Sequence, residues 1–86
     1  MKNINQTSSG RYSVQIHAYY HSKGKFKPFS LGTYLTEEQA IQARGLVLEL
    51  QGDNQYSKMK VRISKIREVV NIYRTSENLK PIKERI

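Results

Sequence analysis

The stretch from Arg11 to Tyr19 alternates between two kinds of side chain, and this constrains the fold more than any other feature of the chain. Tyr12, Val14, Ile16 and Ala18 fall on one side, and Arg11, Ser13, Gln15, His17 and Tyr19 on the other. A period of two over this length, with aromatic and β-branched residues on the apolar side, predicts a half-buried strand. Tyr20-His21-Ser22-Lys23-Gly24-Lys25 reads as a polar turn, and the run from Phe26 to Tyr34 as the returning strand of a hairpin. In that second strand Phe29, Leu31 and Thr33 are expected to share a face. Pro28 has no N–H to give to a ladder, so it is expected near a strand start or on an edge. Lys2–Gln6 predicts a short preceding strand with Ile4 pointing inward, and Gly10 marks the turn between the two.

A capped helix follows. Thr36 is a good N-cap residue, and Gln39 three positions later completes a capping box, with Glu37 and Glu38 complementing the helix dipole. Ala40, Ala43, Val47 and Leu50 recur at helical spacing, and Ile41 and Leu48 widen the stripe. Gly52 is a natural stop, so the helix is expected over about Glu37 to Gln51. In the last third, Met59, Ile63, Ile66, Val70 and Tyr73 are spaced four, three, four and three apart, a short heptad seam on a basic helix. The seam can pack on the domain's own surface, or it can serve a homodimer or a protein partner. After Thr75 the pattern fades, and Pro81 predicts a frayed tail. The expected class is α+β: a three-stranded antiparallel sheet packed against one helix, with a second C-terminal helix. The organisation this implies is a sheet-plus-helix domain over 1–52, a basic amphipathic helix over 53–76 and a flexible tail over 77–86.

The chain has 86 residues, enough for one modest core. It contains no cysteine, which rules out disulfides and thiolate ligation. His17 and His21 have no acidic neighbour in sequence, so neither a metal nor a cofactor is expected. No apolar run approaches the roughly 20 residues that span a bilayer, and a cytoplasmic location, nucleoid-associated if the chain is bacterial or from a phage, is the expectation. Fifteen Lys and Arg against seven Asp and Glu give a net charge of +8, a balance that attracts polyanions. That charge is unevenly spread: residues 1–36 carry +5 and no acid, 37–56 carry −3, and 57–86 carry +6.

The segments Gly10-Arg11-Tyr12-Ser13-Val14-Gln15-Ile16 and Leu31-Gly32-Thr33-Tyr34-Leu35-Thr36-Glu37-Glu38-Gln39-Ala40-Ile41-Gln42-Ala43 together resemble the Apetala / ethylene-response-factor type DNA-binding domain, including its phage and bacterial relatives. Roughly residues 2–50 are covered. The chain is also similar to the arm-site-binding N-terminal domain of tyrosine integrases, which shares three strands, a helix and the same way of reading the groove. Either resemblance implies duplex DNA as the partner, with the open face of the sheet in the major groove. Carried over by position, the base-facing residues are Lys2, Asn5 and Thr7 on the first strand, Ser13, Gln15 and His17 on the second, and Ser30 on the third. The chain departs from the Apetala pattern at Asn5, Thr7 and Ser30, where tyrosine, tryptophan or arginine is usual, and at Arg44-Gly45.

The side-chain chemistry fits that implication. Gln15 can pair bidentately with adenine, and Ser13 and Ser30 can donate to bases or phosphates. Arg11, Lys23, Lys25 and Lys27 suit phosphate contacts, which set register without reading sequence. His17 is either a donor to phosphate or base, or simply an exposed strand histidine. Ser22-Lys23-Gly24-Lys25 is too short for a nucleotide-binding loop, and no tyrosine or histidine has the partners that catalysis requires, so an enzyme is not expected. RNA is less favoured, because sheet-based RNA readers display stacking aromatics. A second class of function is a small phage-type factor acting on a nucleic-acid-handling partner through the C-terminal helix.

Overall fold

The computed structural model describes residues 3–52 and 60–82. Three antiparallel strands, β1 (Ile4–Gln6), β2 (Tyr12–Tyr20) and β3 (Lys25–Tyr34), form one sheet with β2 in the centre. Two helices follow, α1 (Glu37–Gln51) and α2 (Ile63–Ser76). The alternation of β2 is realised: Val14, Ile16 and Ala18 are buried, while Gln15 and His17 are exposed. The hairpin turns through hydrogen bonds from Lys23 N and Gly24 N to Tyr20 O, at 3.0 and 2.8 Å.

β3 departs from simple alternation. Val14 pairs with Gly32 and Gln15 with Ser30, so Leu31 is an extra residue that forms a β-bulge. Leu31 is fully buried, and the phase of the strand shifts beyond it. Thr33 therefore pairs with Ser13 and lies on the opposite face from Phe29 and Leu31, contrary to the shared face that alternation predicted. Tyr34 takes the inward place and is fully buried, its phenol donating to Leu31 O at 2.7 Å.

α1 begins at Thr36, whose hydroxyl accepts from Gln39 N at 3.1 Å. The Gln39 side chain reaches back to accept from Leu35 N, satisfying a second donor at the helix start. Ala40, Ala43 and Val47 are buried against the sheet, and the small alanines permit close approach. The fourth buried position is Gln51 rather than Leu50, because the Gln51 amide donates to His17 O at 3.1 Å and anchors β2 past the stretch that β1 pairs.

α2 packs into the same core. Ile66 and Val70 are fully buried in one cluster with Val14, Ile16, Leu31, Tyr34 and the α1 residues, and Ile63 and Tyr73 pack at its margin. The heptad seam is thus largely used within the fold, and Met59 lies outside the described residues. The expected flexible tail is instead held as far as Ile82. Leu79 N donates to Arg74 O at 2.8 Å, and the Asn71 amide both donates to Ile82 O and accepts from Ile82 N. An asparagine side chain offers a donor and an acceptor side by side, so it can clasp a passing backbone as a strand would.

Arg74 ties this strap to the sheet. It is 8% exposed, its Nε donates to Lys80 O at 2.7 Å and its Nη1 to Thr33 O at 2.9 Å. The guanidinium also lies over the Tyr34 ring, 4.9 Å from its centroid. Gly32 makes room for it: a Cβ there would sit 2.7 Å from Nη1, and the backbone has φ +92°. No helix among the described residues is long and apolar enough to cross a membrane.

Candidate nucleic-acid interface

Both helices cover one face of the sheet, which leaves the other face open. Directly paired residues of an antiparallel ladder point the same way, so the register defines what that face displays. Asn5, Ser13 and Thr33 form one row across all three strands. Gln15 and Ser30 form the next, His17 and Pro28 a third, and Tyr19 and Phe26 the last, at the hairpin end. The first two rows are wholly polar, the third combines His17 with Pro28, and the fourth is aromatic.

Hydrogen bonds divide these side chains into two groups. The Ser13 hydroxyl donates to Asn5 O at 3.3 Å, and the Ser30 hydroxyl accepts from Gly32 N at 3.2 Å, steadying the bulge. Thr7 lies beyond β1 in the turn, where its hydroxyl accepts from Arg11 N and pairs with Ser9 Oγ at 2.9 Å. These three expected base-facing groups are engaged in holding local backbone. Among the described residues the side chains of Asn5, Gln15, His17 and Thr33 make no hydrogen bond, so their donors and acceptors are turned to solvent. Thr33 was missed by sequence reasoning, because only the bulge brings it to this face. Lys2 lies outside the described residues.

The expected phosphate-contacting residues separate by location. Arg11 sits at the β1–β2 turn and Lys23 in the hairpin turn, so the two flank the open face at opposite ends. Lys27 pairs with buried Ala18 and Lys25 with Tyr20, which places both on the helix-side face. The Tyr20 phenol donates to Pro28 O at 2.9 Å on the edge of β3. At the hairpin end Tyr19 meets Phe26 edge to face at 5.1 Å and His21 at 4.9 Å, an aromatic group at the far end from the polar Asn5–Ser13–Thr33 row.

The other end of the molecule is acidic. Glu38 and Glu77 border a cleft with Thr36, Gln39, Gln42 and Tyr73, and Tyr73 donates to Glu77 Oε1 at 3.3 Å. Burial first, and then the Glu77 charge and hydrogen bond, push the Tyr73 phenol up to about 12. Burial likewise raises Tyr34, against the opposing effect of Arg74, so both phenols stay neutral near pH 7.

Compared with known proteins, the chain matches no family model, and neither a curated protein sequence nor a solved structure is similar to it.

Proposed function

We propose that this chain binds double-stranded DNA by seating the open face of its sheet in the major groove, as a regulatory protein of the phage or mobile-element kind. One observation carries the reading: Asn5, Gln15, His17 and Thr33 present unengaged polar side chains on a face opposite the core, with Arg11 and Lys23 at its two ends. Three strands span roughly 10 Å between their outer axes, which matches a groove about 12 Å wide. Gln15 is on the central strand and reaches deepest, where its amide can donate to and accept from one adenine edge. Arg11 and Lys23 reach phosphates on the two groove walls and fix the register without reading bases. The net charge of +8 supports association with a polyanion. The resemblance to the Apetala type and integrase arm-site domains supports the same docking.

The alternative through the C-terminal helix has less surface to work with, because Ile66 and Val70 are buried within the domain. The test is selection from a random duplex library, followed by a salt titration on the selected site. A recovered motif, and an affinity that falls steeply with salt, are expected. Absence of duplex binding at about 50 mM salt overturns the reading, and preferential binding of an RNA hairpin of matched sequence redirects it.

A further inference from the structure

The C-terminal segment brings a second set of cations to the hairpin end of the sheet. Residues Tyr19, Tyr20, His21 and Ser22 of the hairpin, with Arg62 and Arg67 of the C-terminal segment, line a cleft of about 210 Å³. Lys60 stands beside it with its ammonium 4.7 Å from the centroid of the Tyr19 ring, and Lys23 lies in the adjoining turn. Lys60 and Arg62 are exposed. Among the described residues the acids lie elsewhere: Glu37, Glu38 and Glu77 at the opposite end, and Glu49 on the outer side of α1 beside Gly45 and Leu46. Glu68 is paired with Lys65 at 3.7 Å. Segments more than 35 residues apart in sequence thus build one positive wall directly beyond the Tyr19–Phe26 row of the open face.

We infer that this wall is a clamp for the phosphodiester backbone of duplex DNA, engaged by the strand that leaves the groove past the hairpin end. The inference rests on the DNA reading of the open face and adds the C-terminal segment to it. An ammonium held over an aromatic ring is positioned without losing its charge, so Lys60 is presented rather than free to sweep solvent. Arg62 supplies a planar fork suited to a phosphate. Contacts of this kind carry affinity and salt dependence, but no base preference.

The test compares the full chain with its Lys60→Gln/Arg62→Gln double variant, using Lys80→Gln as a charge control. Lys80 is exposed and does not line the hairpin-end cleft, and the Arg62 side chain makes no capping bond in α2. Each protein is titrated with one duplex carrying the selected site, across a range of salt. The double variant is expected to flatten the log–log salt slope by about 1.8, to weaken binding roughly tenfold at physiological salt, and to leave the base preference as it was. The control is expected to leave the slope unchanged. A double variant whose slope equals that of the full chain overturns the clamp while the face reading stands. A full chain that does not bind the duplex overturns the face reading, and the clamp with it.

Discussion

β2 and β3 lie side by side in one sheet, yet they take their shape from different sources. β2 is the central strand, paired with β1 over Tyr12–Val14 and with β3 along its length, and its own alternation settles which residues face inward. β3 is paired on one side only, and its final residues depend on groups that arrive from more than 40 positions away. Leu31 is pushed into the core as an extra residue, and Gly32 adopts a backbone suited to glycine. Arg74 then fills the space behind Gly32 and takes the Thr33 carbonyl. A central strand can therefore be understood from its sequence, whereas an edge strand needs whatever is packed behind it. The difference matters because the open face draws Gln15 and His17 from one strand and Ser30 and Thr33 from the other.

The largest expected effect breaks β3 while sparing β2. Gly32→Val places a branched side chain where the Arg74 guanidinium lies and forces a β-branched residue to positive φ. Displacing a buried, hydrogen-bonded cation and straining the backbone together should cost more than about 3 kcal/mol. Val14→Ala, the paired position on β2, only leaves a cavity and should cost about 2 kcal/mol. Urea unfolding of both variants checks the order. In a cycle with Arg74→Met on α2, Gly32→Val should be non-additive by about 1 kcal/mol or more, because each change removes the same contact. Equal destabilisation by Gly32→Val and Val14→Ala would mean that β3 does not lean on Arg74.

The same contrast explains what was legible in the sequence. β2, the turn at Gly10, the Thr36 cap and the span of α1 all follow from local rules, and each is present. The bulge does not follow, because two residues opposing one is a property of the pair and not of either strand. Alternation consequently puts Thr33 on the wrong face. The apolar stripe selects Leu50 over Gln51, because hydrophobic spacing cannot reveal that His17 O takes a donor from α1. The strap through Ile82 escapes the sequence for a similar reason: Pro81 points to a frayed tail, and nothing local reveals that Asn71 clasps the segment. Of the expected base-facing residues, Asn5, Gln15 and His17 are placed with free side chains, whereas Thr7, Ser13 and Ser30 serve the backbone.

An intermediate effect sharpens the comparison at the level of recognition. Gln15→Ala should relax the preference at one base position by about 1–3 kcal/mol and leave binding to unrelated duplexes nearly unchanged. Thr33→Val keeps shape and removes a hydroxyl, so it should alter preference at a neighbouring position by about 1 kcal/mol or less. Competition binding with single-position variants of the selected site measures both. Identical losses on all sequences would mean that the face positions the protein without reading bases.

The smallest effect concerns the end at which β3 meets α2. The Tyr34 and Tyr73 rings lie 6.4 Å apart there, and both phenols hold their protons more tightly folded than unfolded. A raised pKa of this kind leaves stability intact below about pH 10, the unfolded value, because both states are then protonated. Above it the unfolded chain loses its proton first, so stability falls as pH rises through the folded value, about 12 for Tyr73. Tyr73→Phe should therefore flatten the alkaline fall in Tm across that window, at a cost near neutral pH of about 0.5 kcal/mol for the lost hydrogen bond to Glu77. Glu77→Gln should act in the same direction but less, since it removes a secondary cause and leaves burial in place. An alkaline slope that survives Tyr73→Phe would assign the linkage to Tyr34, and with it to the Arg74 contact on which β3 depends.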